Sequence, residues 1–374
     1  MKTANIFRKT LALVSAALMT LTLAACSSQA PAATAVPAAE SAAPVESAAP
    51  AESAAAEETP AEAGKIYKVG IVKYVDDASL DQIEQSIQAE LDKKGAELGV
   101  TFDYADYTKN GQADSTTLNQ IAADLIADGV DVIIPIATPA ALIMQAATEE
   151  NAIPVVFSAV SDPVGAGLVD SLEAPGSNIT GTSDALNVEA VIDLMLAANP
   201  DLKKLGLLYD QGQDASKSAI AAAKAYCETK GIETVEKTGT TNDELALAAD
   251  ALIAAKVDAV FTPTDNTVMT AELAIYEKFV DAKIPHYAGA DSFALNGAFC
   301  GYGVNYVTLG TSTADIAVDV LVNGAQPAST PVQIMSSGIA TVNTEVASAI
   351  SLDYSAFASL CEELKETITQ ESFN

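Results

Sequence analysis

The chain has 374 residues, with 50 Asp and Glu against 19 Lys and Arg, a formal net charge of −31 and a single histidine. So acidic a chain repels phosphate backbones, which argues against a nucleic-acid partner. Lone His286 and the scattered Cys227, Cys300 and Cys361 offer neither a disulfide framework nor a transition-metal site, so neither metal nor cofactor is expected.

The N-terminus reads as a targeting segment. Lys2, Arg8 and Lys9 precede an uncharged, apolar run from Leu11 to Ala25. That run is shorter than the roughly 20 residues a spanning helix needs, so residues 1–25 are expected to be a cleaved signal peptide. Leu23-Ala24-Ala25-Cys26 resembles a bacterial lipobox, with Cys26 as the lipidation site. An acyl anchor there would place the protein outside the cytoplasm, attached to the bacterial cell membrane. Residues 26–64 follow as a stalk. Between residues 27 and 63 there is no aromatic or basic residue, and Glu-Ser-Ala-Ala recurs from Glu40, Glu46 and Glu52. Such a segment has nothing large to bury and is expected to stay unfolded and extended.

From Lys65 onward, short β-rich runs alternate with helical stretches. Ile66–Val72 is predicted as a strand, and 80–98 as a helix striped by Leu80, Ile83, Ile87 and Leu91 and stopped by Gly95 or Gly99. Val100–Tyr104 is a strand, and a helix through Leu118, Ile121 and Leu125 ends at Gly129. The nearly continuous apolar run 130–136 fits a parallel strand covered on both faces. A helix begins near Pro139, and Ile153–Phe157 is a strand. The pattern restarts after residue 187: strands at 204–209, 232–236, 257–262 and 284–289, and helices at 215–229, 243–254 and 266–282. Two such series predict an α/β protein of two doubly wound, parallel-sheet lobes.

Open parallel sheets bind ligands at the carboxyl ends of their strands. The candidate residues therefore follow the strands: Tyr74 and Asp77, Thr138-Pro139-Ala140, Ser158-Ala159, Ser183-Asp184, Tyr209, Asp265-Asn266, Asp291 and Tyr302. Thr138 is a suitable N-cap and Pro139 suits the first helical position, which would leave the amides of Ala140 and Ala141 for an anion. Asp184, Asp265 and Asp291 can accept from an ammonium or hydroxyl group, and Asn266 can donate and accept. Asp and Asn are equally common as caps and turn residues. Tyr74, Phe157, Tyr209 and Tyr302 would supply aromatic surface at the same rim, with core packing the alternative for Phe157.

Phe157-Ser-Ala-Val-Ser-Asp-Pro-Val-Gly-Ala-Gly-Leu168, Asn178-Ile-Thr-Gly-Thr-Ser-Asp184, Thr262-Pro-Thr-Asp-Asn-Thr267, Tyr302-Gly-Val-Asn-Tyr306 and Ile136-Ala-Thr-Pro-Ala-Ala141 carry a family resemblance. Together they resemble the ABC-type solute-binding lipoproteins of the tryptophan/tyrosine uptake group, over about residues 68–332. The resemblance implies a periplasmic-binding-protein type I fold, two lobes joined by a three-segment hinge. It implies capture of an aromatic amino acid, without catalysis, for an ABC permease with a cytoplasmic ATPase. It places the ligand carboxylate at Thr138 and the adjoining amides, with Ser158 and Ala159 nearby, and brings Asp265, Asn266 and Asp291 from the second lobe. Many members carry His-Pro where this chain has Asp77-Ala78, a change of charge at the cleft edge.

The implied division assigns 65–184 plus 305–328 to the N-terminal lobe and 185–304 plus 329–374 to the C-terminal lobe. Crossovers are expected near 182–186, 301–305 and 326–330, with a helix at 307–323 and a C-terminal helix near 354–368. The protein is expected to be a monomer. Another small carboxylate, a nucleobase-like molecule or a sugar remains open as ligand, as does presentation of ligand to a signalling partner. No Gly-x-Ser-x-Gly elbow or phosphate-binding loop supports an enzyme, and His286 beside Pro285 reads as structural.

Overall fold

Strand β1 (Ile66–Lys73) is buried along most of its length and carries neighbours on both edges. In the computed structural model, which describes residues 64–370, it is the hub of the first of two sheets. The expected signal peptide (1–25), the lipidation site Cys26 and nearly all of the expected stalk (26–64) lie outside the described residues. Among the described residues no helix is long and apolar enough to cross a membrane.

After β1 come α1 (Ala78–Leu98), β2 (Thr101–Asp103), β3 (Thr108–Asn110), α2 (Ser115–Asp128), β4 (Val132–Ile136), α3 (Thr138–Thr148), β5 (Val155–Phe157) and β6 (Ile179–Ser183). The helix ends follow local chemistry. Asp77 caps α1 by accepting from Ser79 N (2.8 Å) and Leu80 N, and Gly99 closes it in the left-handed conformation at φ 68°.

The chain then builds a second lobe: α4 (Val188–Ala198), β7 (Lys204–Tyr209), α5 (Asp214–Lys230), β8 (Glu233–Thr238), α6 (Asn242–Ala254), β9 (Ala259–Thr262), α7 (Asn266–Asp281), β10 (His286–Ala288), α8 (Asp291–Leu295) and β11 (Cys300–Gly303). It returns to the first lobe for α9 (Tyr306–Val322), a 3-10 turn (Pro327–Ser329) and β12 (Gln333–Ile334). It ends in the second with β13 (Ile339–Asn343), α10 (Thr344–Ile350), a 3-10 turn (Ser355–Ser359) and β14 (Glu363–Thr367).

The first sheet runs β12-β6-β5-β4-β1-β2, with β3 also on β1, and every pairing is parallel. The second runs β14-β13-β11-β10-β9-β7-β8 and is parallel except where β11 meets β13. That exception follows from the path. β11 runs toward the cleft and leaves for the first lobe, so the chain re-enters at the cleft and β13 runs back.

Two expectations need correction. The third crossover lies at 335–338, not 326–330, because β12 adds to β6 and Thr180 Oγ1 donates to Thr330 O (2.8 Å). The first lobe thus keeps its chain to about residue 334, not 328. A strand of two residues carries no periodicity to read. The C-terminal helix is absent as well. Residues 363–367 pair in parallel with β13 as an edge strand, whose exposed Glu363 and Glu366 suit an unpaired edge.

Helix α9 packs on α1 so closely that a Cβ on Gly310 would lie 2.6 Å from Ile83 O. It is tied to the sheet through Thr313. The Thr313 hydroxyl donates to Leu309 O, so Ser158 Oγ and Thr182 Oγ1, each 2.8 Å away, must donate to it. The tips of β5 and β6 are thereby pinned to one side chain. One apolar cluster runs from Ile83, Leu80 and Ala159 in the first lobe to Phe293, Val268 and Ala290 in the second, so the lobes are closed on one another.

Candidate ligand-binding site

The strand ends of both sheets face a narrow chamber, about 380 Å³ of space between protein atoms that is partly open to solvent. From the first lobe come Asp77, Ser79 and Leu80 at the start of α1, Ala137 and Thr138 after β4, Ala159 and Ser161 after β5, and Tyr306 at the start of α9. Asp184 sits on the first crossover. The second lobe adds Ala215, Thr264, Asn266, Met269, Ala290 and Phe293.

The start of α3 differs from the expected cap. Ala137, not Thr138, is the capping residue. It is held at φ 79°, and Ala159 lies at φ 54° beside it. Non-glycine residues there cost about 1–3 kcal/mol each, and such strain gathers at binding sites. With the cap one residue early, Thr138 becomes the first helical residue and its side chain makes no capping bond. Its hydroxyl is buried with no hydrogen-bond partner, facing the chamber beside helix amides that have no partner within the helix. A buried hydroxyl left unsatisfied costs about 1–3 kcal/mol. An anion at this point would meet both the hydroxyl and the positive end of the helix.

Elsewhere around the chamber the chemistry is acidic. Burial pushes Asp77 up to about 6, against the lowering hydrogen bonds at its cap. Burial likewise lifts Asp184 to about 6, although Ser161 Oγ donates to its Oδ1 at 3.0 Å. Since that hydroxyl donates to Asp184, it must accept from Thr264 Oγ1 at 2.7 Å, a bond between the lobes. Asp291 is also raised by burial. It is held across the cleft by Ser79 Oγ (2.5 Å) and Gln82 Nε2 (3.4 Å) of α1. Tyr306 is raised well above the usual phenol range by burial and by the charges of Asp184, Asp291 and Asp77. No Lys, Arg or His among the described residues lines the chamber. The space is therefore shaped for a molecule that brings its own positive charge.

Of the residues singled out from sequence, Asp77, Thr138, Ala159, Asp184 and Asn266 line the chamber. Pro139 and Ala140 follow Thr138 in α3, and Asp291 is not in the lining but is held by Ser79 and Gln82 as described. Asp265 is turned away from this role. It is fully buried, is pushed up to about 6 by burial, and accepts from Thr267 N, Val268 N, Asp210 N and Ser216 Oγ, so it braces the loops beneath Asn266. Ser158 is committed to Thr313, and Ser183 faces an outer groove beside the hinge.

The tyrosines divide similarly. Tyr74 meets Gln213. Tyr209 bonds Glu236 (2.8 Å) on the outer side of the second lobe, and Tyr302 donates to Ser337 O (3.3 Å). Phe157 is core. The aromatic walls are instead Phe293, two residues past Asp291, and Tyr306, the last residue of the Tyr302–Tyr306 motif. Tyr306 belongs to a strand-end motif, whereas Phe293 was not among the expected aromatics, because sequence alone does not say which ring near a strand end turns inward.

Residues 68–358 match the family described as ABC transporter substrate binding protein. A tyrosine-binding protein of Clostridioides difficile (strain R20291) is 32% identical over 262 residues, covering 70% of this chain and 74% of that protein. The crystal structure of an ABC domain in complex with L-Trp from Streptococcus pneumonia is 30% identical. It covers 80% of this chain and 100% of its own, with a TM-score of 0.74. A ligand-free, open substrate binding protein with adhesive properties from Clostridium difficile is 32% identical over 81% of this chain and 100% of its own, at a lower TM-score of 0.62. At similar identity and coverage the likeness is thus greater to the ligand complex than to the open form, in keeping with the closed lobes. The two sheets, the hinge and the matched span together identify the chain as a member of the ABC transporter substrate-binding proteins, with the periplasmic-binding-protein type I fold.

Proposed function

We propose that the protein captures an aromatic amino acid in the interlobe chamber and presents the closed form to an ABC permease with a cytoplasmic ATPase. The observation that carries this reading is the presence of both Thr138 and Asp184 in the lining of one chamber. A free hydroxyl and helix start suit a carboxylate, and a desolvated acid suits an ammonium. Leu80, Met269, Phe293 and Tyr306 supply apolar and aromatic walls for a ring between them. Asp77, Ala159 and Asn266 complete the contacts. The tyrosine and tryptophan in the relatives' names support the same ligand class.

In this reading the protein is a monomeric binding component and not an enzyme. No metal or cofactor enters, and no cluster of three or more His, Cys, Asp or Glu suited to a metal occurs among the described residues. Residues 1–25 act as leader, acyl chains on Cys26 hold the protein at the outer face of the cell membrane, and residues up to 64 form the stalk. A thermal-shift screen tests the ligand: L-tyrosine, L-tryptophan or L-phenylalanine is expected to stabilise the purified protein. Stabilisation by a sugar or nucleoside and by none of the three would overturn the assignment. Mass measurement of the intact protein tests the anchor, since cleavage before Cys26 with added acyl chains gives a distinct mass.

A further inference from the structure

His286, the one histidine of the chain, is buried behind the chamber and is not part of its lining. Both ring nitrogens are committed. The Thr262 hydroxyl donates to Leu208 O at 2.9 Å, so its 2.8 Å contact with Nε2 must be a donation from the ring. Nδ1 lies 2.9 Å from Oε1 of Glu272, a fully buried residue on α7 whose Oε2 has no partner. Held at both ends, the imidazole cannot turn in its plane. Its ring lies 5.3 Å from that of Phe279, centroid to centroid, and meets Phe293 nearly at right angles, 79° and 6.3 Å. Phe293 in turn lines the chamber and sits on α8, the short helix that also carries Asp291 and its bonds to Ser79 and Gln82.

A buried His–Glu pair with an idle oxygen is a poor source of stability, since apolar residues of the same volume often do as well. What it supplies is direction. We propose that His286, fixed by Glu272 and Thr262, is a positioning residue that sets the plane of Phe293 against the ligand ring, and that its imidazole senses lobe closure through α8. The proposal rests on the reading that the chamber holds an aromatic amino acid.

Because the chain has one histidine, the full-length protein labelled with 15N-histidine shows a single imidazole, and no mutation is needed. Calorimetry first establishes whether L-tyrosine binds. Saturation is then expected to move the imidazole resonances, through the changed ring-current field of Phe293. The double variant H286L/E272L removes the pair without stranding a charge. It is expected to melt close to the unaltered protein while losing about tenfold in tyrosine affinity. E272Q, which keeps a hydrogen bond to Nδ1, is expected to restore affinity to within about threefold of the unaltered protein. Binding that leaves the imidazole signals unmoved, or a double variant that binds as tightly as the unaltered protein, overturns the proposal. No binding of any aromatic amino acid overturns the functional reading instead, and the proposal with it.

Discussion

The Ser79 hydroxyl donates to Oδ1 of Asp291 at 2.5 Å, joining residues 212 positions apart from opposite lobes. Ser292 N donates back to Ser79 Oγ at 3.2 Å, so the hydroxyl both donates and accepts across the cleft. This bond exists only when the cleft is shut. Whatever it contributes is added to the closed state alone and so to the ligand that selects it. Asp291→Ala is expected to weaken tyrosine binding by about 1.5–3 kcal/mol, the worth of a hydrogen bond to a charged group. Equal affinities by calorimetry would remove Asp291 from the closing mechanism.

Thr138→Val separates a binding role from a folding role. The hydroxyl has no partner in the chamber, so replacing it by a methyl group leaves the ligand-free protein as stable or more stable, by up to about 1–3 kcal/mol. The same change weakens binding of a carboxylate ligand by a similar amount. Chemical denaturation with and without ligand measures both. A variant that loses ligand-free stability and keeps its affinity contradicts the placement of the carboxylate.

The buried acids dictate an unusual response to pH. Asp77, Asp184 and Asp265 sit near 6 in the fold, against an ordinary value of 3.8. A raised acid holds its proton more tightly in the folded state. Each therefore costs stability above about pH 6, and the cost fades as pH falls from about 6 toward about 4. At roughly 1.4 kcal/mol per unit, the cost is up to about 3 kcal/mol for each. Asp114, Glu244 and Asp353 are held below the ordinary carboxylate range by hydrogen bonds at their caps and turns, and their contributions are lost only at lower pH. The melting temperature of the ligand-free protein is expected to rise between pH 7 and pH 5, with a shallower rise in Asp184→Asn. A fall over that interval, or an identical slope in the variant, goes against this account.

Gly310→Ala tests the seam between α1 and α9. In an open helix this change gains about 0.5–1 kcal/mol. Here the added carbon would meet the backbone oxygen of Ile83 at 2.6 Å and Ser86 Cβ at 2.8 Å. Overpacking costs about 1–3 kcal/mol, so the clash prevails and net destabilisation is expected. A more stable variant would mean that the helices part freely.

Periodicity located the helices and buried strands closely, because continuous apolar runs such as 130–136 and stripes such as Leu80, Ile83, Ile87 and Leu91 record burial directly. It failed where pairing is set by distant partners. Gln333–Ile334 is a strand only because β6 has a free edge there, and Glu363–Thr367 only because β13 returns beside it. At the chamber, strand-end position brought out Thr138 and Asp184. It could not tell a contact from a brace, and Asp265, with the same residue type and placement, spends its oxygens on four neighbouring donors. Nor could it separate Tyr306, which turns inward, from Tyr302, which bonds Ser337.

Thr313 has a bearing on how the molecule is made. Its hydroxyl gathers Ser158 and Thr182, which precede it by 155 and 131 residues, and α9 supplies part of the packing over β4, β5 and β6. A nascent chain emerging from its N-terminus therefore carries an unfinished first domain until more than three hundred residues have appeared. For a polypeptide threaded through a membrane behind the proposed leader, that delay is useful. With such a leader, the leading half would stay pliable during transit, and topology itself would postpone the knitting together of the first sheet until the far side is reached.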